Sequence, residues 1–248
     1  IKNSAYDNRY VSVADQLSSG VVAIASPLTD ERYAIPDSFV GQGNALNNEI
    51  TSGSTHDSLY GGAGNDTLVS GPGNDVLDGG EGNDLLKGGS GHDVYYVGDG
   101  VDQISELPGE GYDVVVSSDD YQLSGDIEEL VLDGASEVGV GNDSDNLILG
   151  NTENNTLSGA GGDDSLIGDV GADSLAGDAG HDTLLGGGGA DTLVGGSGND
   201  NLLGGVGDDF YIVNGGEDDR IFEQVSEGHD AVQTNDDWQL SSNIEDLT

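Results

Sequence analysis

The sequence of 248 residues contains 48 acidic and 5 basic residues, and its formal net charge is −43. A charge so one-sided argues against nucleic-acid binding, which needs basic surfaces, and against binding to or insertion into anionic membranes. The absence of cysteine excludes disulfides and cysteine-based metal or nucleophile sites, and the sequence has no run of about 18 apolar residues that would predict a membrane span.

Residues 1–42 differ in composition from the rest of the chain. They contain three of the five basic residues and two of the four prolines. Val11–Ala14 and Val21–Ala25 are short apolar stretches that we interpret as candidate strands. The whole part is predicted to be an irregular lead-in coil or the end of a preceding module. The start at Ile1, without a signal-peptide pattern, is typical of a fragment.

A nine-residue repeat occupies residues 52–104 and is clearest in GGAGNDTLV from Gly61 and GGEGNDLLK from Gly79. Its sixth position is an aspartate and its eighth is apolar. The sixth-position residues are Asp57, Asp66, Asp75, Asp84, Asp93 and Asp102, and the eighth-position residues are Leu59, Leu68, Leu77, Leu86, Tyr95 and Ile104. Glycine supplies the positive φ angles of a tight turn, and the x-apolar-x ending sends one side chain inward from a short strand. Each nine-residue repeat is therefore predicted to form one turn and one short strand, which together make half a coil of a solenoid.

Residues 105–140 lack the nine-residue period. Apolar residues alternate with polar ones, as at Val114 and Val116, which predicts strands of wider coils that continue the same solenoid. Asp113 and its counterpart Asp230 lie in glycine-containing turns. Binding of one further ion by each and simple turn formation both remain open for these two residues.

The repeat returns at residues 150–218, as in GGSGNDNLL from Gly195. Its sixth-position residues are Asp164, Asp173, Asp182, Asp191, Asp200, Asp209 and Asp218. Asparagine takes the sixth place ahead of the two aspartate runs, at Asn48, Asn146 and Asn155. A neutral amide keeps the turn hydrogen bonds without a charge. We therefore expect these coils to bind no ion or to bind one weakly.

Two repeats make a full coil, and successive coils stack as parallel strands about 4.8 Å apart. The sixth-position aspartates of alternate repeats then face one another. Calcium lies about 2.3–2.6 Å from its oxygen ligands, so an ion midway between two oxygens fits this gap. Gly-Asn-Asp sequences also form ordinary turns in which aspartate bonds to the backbone. Turn formation alone leaves the stacked charges repelling one another, so the pattern favours calcium.

These lines resemble, residue for residue, the RTX (repeats-in-toxin) calcium-binding nonapeptide G-G-x-G-x-D-x-U-x, and the resemblance covers roughly half of the chain. It implies an all-β fold, a right-handed parallel β-roll or β-solenoid with calcium ions stacked in the turns. It also implies that each ion takes two sixth-position aspartates from repeats two apart, together with backbone carbonyls of both turns. Asp66 would pair with Asp84 in this way, with carbonyls of Gly62, Gly64, Gly79 and Glu81.

The metal ligands implied by the resemblance form two sets. The side chains are Asp57, Asp66, Asp75, Asp84, Asp93, Asp102, Asp164, Asp173, Asp182, Asp191, Asp200, Asp209 and Asp218. The backbone carbonyls are those of Gly62, Gly64, Gly71, Gly73, Gly80, Gly82, Gly162, Gly171, Gly180, Gly187, Gly189, Gly196 and Gly198. Several Ca²⁺ ions are the only cofactor expected. No catalytic site is predicted, because His56, His92, His181 and His229 are spread along the chain.

The chain is nearly two copies of one unit. The segment from Gly88 resembles the segment from Gly204 at an offset of 116 residues, which becomes 117 after one insertion. We predict a first copy at 43–140, with a nonapeptide run at 52–104 and wider coils at 105–140. The second copy is predicted at 141–248, with a nonapeptide run at 150–218 and wider coils at 219–248.

Self-repulsion opposes compaction until cations neutralise it, so folding and ion binding are expected to be one event. High extracellular calcium then predicts folding outside the cell. We expect a non-enzymatic structural module of a secreted or cell-surface bacterial protein, of adhesin, surface-layer or filament-coat type. The alternative is an accessory domain of a type I-secreted hydrolase, protease, lipase or epimerase. Expected partners are calcium and neighbouring modules or like subunits, stacked end to end or laterally.

Overall fold

The computed structural model describes residues 11–12, 38–213, 219–224, 227–234 and 243–247. Across these ranges the regular structure consists of β-strands and includes no helix. The described residues accordingly contain no helix with the length and hydropathy needed to span a membrane. The chain divides into two compact units, Ile1–Asp113 and Val114–Thr248. The candidate strand Val21–Ala25 lies outside the described residues.

The described residues of the first unit form nine parallel strands in two sheets. They are β1 Val11–Ser12, β2 Val40–Gln42, β3 Glu49–Thr51, β4 Ser58–Ala63, β5 Thr67–Val69, β6 Val76–Glu81, β7 Leu85–Lys87, β8 Val94–Val97 and β9 Gln103–Ile104. One sheet has the order β1-β2-β4-β6-β8 and the other β3-β5-β7-β9. Leu59 pairs with Leu77 and Leu68 with Leu86, so one coil takes two nonapeptides.

Within the part of the second unit that the structure describes, fifteen strands repeat this arrangement. They are β10 Val114–Ser117, β11 Tyr121–Gln122, β12 Glu129–Leu132, β13 Val138–Val140, β14 Leu147–Leu149, β15 Thr156–Ser158, β16 Ser165–Val170, β17 Ser174–Ala179, β18 Thr183–Gly188, β19 Thr192–Ser197, β20 Asn201–Val206, β21 Phe210–Val213, β22 Arg220–Ile221, β23 Ala231–Thr234 and β24 Asp246–Leu247. Even-numbered strands from β10 to β22 form one sheet, and β11, β13, β15, β17, β19, β21, β23 and β24 form the other. The predicted parallel β-solenoid is confirmed.

The eighth-position side chains form a narrow core between the sheets. The fully buried side chains include Leu77, Leu86, Leu184 and Leu193. Near the end of each aspartate run the buried residue is a tyrosine, Tyr95 or Tyr211. Alternation along each short strand sends this one side chain inward and its two neighbours outward. The inward position of the eighth residue was therefore predictable from the period.

Two strands depart from the simple inward pattern of the nonapeptides. In β10 the buried residues are Val115 and Ser117, whereas Val114 and Val116 are half-buried. Asp113 occupies the sixth position of this coil, so the eighth falls on Val115. Ile104 is only half-buried because β9 is the last strand of its sheet and has a neighbouring strand on one side alone.

The coils between the repeats do not all widen. Asp93 bonds to Asp113 at a separation of 20 residues, and Asp209 bonds to Asp230 at a separation of 21 residues. The coils that follow are shorter than two nonapeptides, since Val114 pairs with Glu129 and Ala231 pairs with Asp246. Each segment thus contains one spacing longer than two nonapeptides and one shorter.

The turns require left-handed backbone even where glycine is absent. Gly62 and Gly80, at the second position of their repeats, have φ angles of 108° and 85°. The same position in the second run holds Ala160, Asp169 and Asp178, with φ angles of 76°, 81° and 71°. An L-residue in this conformation costs about 1–2 kcal/mol. Stacking of the coils therefore holds these turns against a local preference.

Candidate metal centre

The sixth-position aspartates lie at the turn-to-strand junctions and are buried side by side along the stack. At most 2% of the surface is exposed in Asp57, Asp66, Asp75, Asp84, Asp93, Asp164, Asp173, Asp182, Asp191, Asp200 and Asp209. Asp102 is half-buried. Carboxylates are rarely buried unless they are paired or bind a metal. Burial of so many in one column therefore points to a charge partner that lies beside them.

One carboxylate oxygen of each aspartate is used by the backbone of the neighbouring coil. The amide of Asp66 donates to Oδ1 of Asp84 at 2.6 Å, and the amide of Asp164 donates to Oδ1 of Asp182 at 2.8 Å. The same bond joins Asp57 to Asp75, Asp75 to Asp93, Asp84 to Asp102, Asp173 to Asp191, Asp182 to Asp200 and Asp191 to Asp209. The structure thus brings together the pairs from repeats two apart.

The other oxygen, Oδ2, is buried and accepts no hydrogen bond in Asp66, Asp84, Asp93, Asp164, Asp173, Asp182, Asp191 and Asp209. An ionised oxygen without a partner in a low-dielectric interior costs several kcal/mol. A cation beside the column would offset that cost for every coil. The donor set consists of hard oxygens, which is the set that Ca²⁺ prefers.

Backbone carbonyls complete the surroundings of these oxygens. A Cβ built on Gly61 would overlap both Oδ2 of Asp66 and the carbonyl oxygen of Gly79, and the same holds at Gly186 for Asp191 and Gly204. Each Oδ2 therefore lies close to the first-position carbonyl of the next coil. A side chain has little room at these two glycines, although Ser70 occupies the first position of another repeat and donates to the carbonyl of Gly88 at 3.0 Å.

The carbonyls assigned from the family pattern lie in the same turns. Gly80, Gly196 and Gly198 have positive φ angles at these turn positions. The carbonyl of Glu81 accepts a hydrogen bond from Gly64 at 2.8 Å. The remaining carbonyls each approach the equivalent glycine of the next coil, and they are those of Gly62, Gly64, Gly71, Gly73, Gly82, Gly162, Gly171, Gly180, Gly187 and Gly189.

The two ends of the first run differ from its middle. Oδ2 of Asp57 accepts the amide of Gly53 at 3.4 Å, and Oδ2 of Asp102 accepts the amide of Gly98 at 3.2 Å. Backbone donors already occupy these oxygens, so both residues suit a cation less well than Asp66 does.

The end of the second run shifts by one residue. Asp218 lies outside the described residues. The amide of Asp200 instead donates to Oδ1 of Asp219 at 3.0 Å, and Ile221 takes the inward position two residues later. One inserted residue between β21 and β22 therefore moves the column from the predicted Asp218 to Asp219.

The asparagine coils bond differently. Oδ1 of Asn146 accepts the amide of Asn142 in its own turn at 2.8 Å, and its Nδ2 donates to the carbonyl of Ile127 at 2.9 Å. Asn155 repeats the pattern with Asn151 and Ser136. Nδ2 of Asn146 thus faces the preceding coil, and its Oδ1 lies near the first-position carbonyl of Gly159, where the aspartate coils have Oδ2. Asn146 and Asn155 therefore carry no ionised oxygen that needs a cation, whereas Nδ2 of Asn48 is buried without a partner.

The histidines belong to an outer ladder that sequence reasoning missed. Nδ1 of His56 accepts the amide of Asn74 at 2.7 Å, and Nδ1 of His181 accepts the amide of Asn199 at 2.9 Å. Oδ1 of Asn65 likewise accepts the amide of Asn83 at 3.1 Å. Each of these side chains occupies the fifth position and bonds to the fifth position of the next coil. Their recurrence at one position is explained by stacking.

Burial raises the pKa above the ordinary value of 3.8 in nine sixth-position carboxyls, which are those of Asp66, Asp75, Asp84, Asp93, Asp164, Asp173, Asp182, Asp191 and Asp209. The pKa is about 6 for Asp84, Asp182 and Asp209, and about 7 for Asp93 and Asp164. Desolvation is the largest cause, and neighbouring aspartates add to it, while the bond from the backbone amide of the previous coil lowers the pKa. Without a cation, the fold thus favours the protonated carboxyl.

These shifts predict the pH dependence of the metal-free chain. A carboxyl with a raised pKa stabilises the fold fully below its unfolded pKa of about 3.9, and this contribution disappears as the pH rises through about 6 to 7. In chelator we expect more β-structure at about pH 5 than at about pH 8. Far-UV circular dichroism checks this, and a β signal that grows with rising pH would contradict it.

Comparison with known proteins bears on the same residues. A family described as RTX calcium-binding nonapeptide repeat (4 copies) matches residues 42–77, 69–104, 140–175, 176–211 and 185–221, which together make up more than half of the chain. No curated protein matches the chain. The matched ranges contain both columns of buried aspartates, and calcium binding by this family fits their unpartnered oxygens. The chain belongs to the RTX calcium-binding nonapeptide-repeat family.

Proposed function

We propose that this calcium-binding β-roll is a structural module of a secreted or cell-surface bacterial protein, of adhesin, surface-layer or filament-coat type, which folds when it meets extracellular calcium. The observation that carries the proposal is the column of buried carboxylate oxygens without hydrogen-bond partners, as in Asp182. Such a column is costly without cations and stable with them.

The ions would be held between coils. Oδ2 of Asp66 and the carbonyl of Gly79 would contribute to one ion, and Oδ2 of Asp191 with the carbonyl of Gly204 to another. Carbonyls of the second and fourth positions supply further oxygens. Calcium contributes the positive charge that the chain lacks, since its formal net charge is −43. Folding then depends on the calcium concentration around the chain.

The calcium concentration at which the chain folds tests the location that we propose. We expect a midpoint of about 10⁻⁴–10⁻³ M, the affinity of extracellular calcium modules, in a titration at pH 7.5 followed by far-UV circular dichroism. The chain would then be unfolded inside a cell and folded outside it. A midpoint below about 10⁻⁶ M would contradict the proposal, because sensor-range affinity permits folding before export.

A further inference from the structure

The aspartate run of each unit ends in a second kind of acidic cluster. In the second unit, ligand oxygens of Asp209, Glu223 and Asp230 lie within 4.8 Å of one another. Asp209 and Asp230 are 2% and 1% exposed. Glu223 comes from outside the nonapeptide pattern, in the stretch that follows β22. The cluster thus combines Asp209, the last nonapeptide aspartate of its own column, with two residues of the irregular coil.

A buried tyrosine sets the orientation of the glutamate. The amide of Gly204 donates to the hydroxyl of Tyr211 at 2.7 Å, and this hydroxyl donates to Oε1 of Glu223. The second glutamate oxygen, Oε2, is buried without a hydrogen-bond partner, as is Oδ2 of Asp209. Two unpartnered anionic oxygens therefore belong to one cluster, and one of them is on the almost fully buried Asp209.

Comparison with an inner coil shows what the glutamate replaces. A Cβ on Gly186 would overlap Oδ2 of Asp191 and the carbonyl of Gly204 in the next coil. A Cβ on Gly204 would overlap Oδ2 of Asp209 and the hydroxyl of Tyr211. At the end of the run the tyrosine hydroxyl thus takes the place of the next first-position carbonyl, and it brings the glutamate with it. A neutral carbonyl is replaced by a charged carboxylate.

The first unit contains the same arrangement. The amide of Gly88 donates to the hydroxyl of Tyr95 at 2.8 Å, and this hydroxyl donates to Oε1 of Glu106. Oε2 of Glu106 and Oδ2 of Asp93 are again buried without partners. The amide of Asp93 donates to Oδ1 of Asp113 at 2.8 Å, and the matching bond of the second unit is 2.9 Å long. Two separate stretches of sequence thus build one hydrogen-bond pattern, although among the described residues only the carboxylates of the second unit all lie within 4.8 Å of one another.

We infer that each cluster is a terminal divalent-cation site of higher calcium affinity than the inner sites. This inference rests on the proposed function, because it assumes that the inner columns bind calcium. Three carboxylates contribute to each cluster, and affinity for Ca²⁺ rises with the number of charged ligands. The two sites fill first and close the end of one aspartate column in each unit. They are formed by Asp93, Glu106 and Asp113 and by Asp209, Glu223 and Asp230.

The test is calcium binding at equilibrium, measured by dialysis against free calcium of known concentration. The native chain should bind two ions at least about tenfold more tightly than the rest. The double variant Glu106→Gln and Glu223→Gln keeps an oxygen for each tyrosine and removes both charges, and it should lose the tight class alone. The single variant Glu223→Gln should lose one tight ion.

The matched control is Glu110→Gln with Glu227→Gln, which removes the same charge from half-buried glutamates of the same two loops. Oε2 of Glu110 accepts the amide of Leu107, and Oε2 of Glu227 accepts the amide of Gln224. Glutamine also offers an oxygen for each of these bonds. The control should therefore keep both tight ions.

The outcomes separate this inference from the proposed function. Loss of the tight class in the double variant but not in the control supports terminal sites. A uniform set of sites, or a tight class that survives in the double variant, overturns the inference and leaves calcium binding by the columns intact. No calcium binding by the native chain overturns both. Far-UV circular dichroism in saturating calcium shows whether each variant is folded. If the double variant does not fold, the loss of one tight ion in Glu223→Gln is the test.

Discussion

Chelation of calcium at pH 7.5 is expected to abolish most of the β-sheet signal and to expand the chain. The formal net charge of −43 repels itself, and the buried carboxyls, with pKa values raised to about 6 and 7, must ionise at this pH. The core offsets little of this, because each half coil contributes a single inward side chain such as Leu184. Far-UV circular dichroism and small-angle X-ray scattering measure the two changes.

Magnesium provides the matched control. Mg²⁺ requires near-octahedral geometry at about 2.0–2.1 Å and gives up its water reluctantly, so it should not restore the signal at equal concentration. Calcium should restore it fully. A β signal that persists after exhaustive chelation would show that the nonapeptides are stable turns without ions, and it would remove the physical basis for folding outside the cell.

Substitution Asp182→Asn is expected to reduce calcium binding and to stabilise the metal-free turn. Asparagine retains Oδ1 for the amide of Asp164 and replaces Oδ2 with a donor next to the carbonyl of Gly195. Asn146 shows that an amide can bond through both atoms at this position, because its Oδ1 accepts the amide of Asn142 and its Nδ2 donates to a carbonyl of the preceding coil at 2.9 Å. We expect the calcium midpoint of folding to rise about tenfold, or about 1.4 kcal/mol, with at least one ion fewer bound.

The control for this variant is Asp163→Asn, in the same turn as Asp164. Asp163 is exposed, and its Oδ1 accepts the amide of His181 at 2.8 Å, which asparagine also allows. Its change in formal charge equals that of Asp182→Asn. Equal midpoints for the two variants would mean that overall charge alone controls folding, and that the buried position of Asp182 has no special role.

Much of this architecture follows from the period. Nine residues with one inward leucine and glycine-rich turns determine half a coil, so the pairing of Leu59 with Leu77 and the burial of Asp66 were predictable. The separate uses of the two carboxylate oxygens could not be predicted from the sequence. Which oxygen takes the amide of the neighbouring coil depends on the backbone geometry of the stack, as at Asp84.

Sequence reasoning fails where the period breaks. One inserted residue replaces Asp218 with Asp219 in the column, and counting by nine cannot show where the insertion lies. Glu223 follows Asp209 outside the period and reaches it only because the irregular coil folds back. Its signal was the alignment of QISE with RIFE, in the segments that the two units share.

Anomalous X-ray diffraction from crystals grown in calcium would locate the bound ions. We expect anomalous density about 2.3–2.6 Å from Oδ2 of Asp182 and of the other aspartates whose Oδ2 has no hydrogen-bond partner. Density confined to exposed carboxylates, with each buried Oδ2 hydrogen-bonded to protein or water, would contradict this expectation.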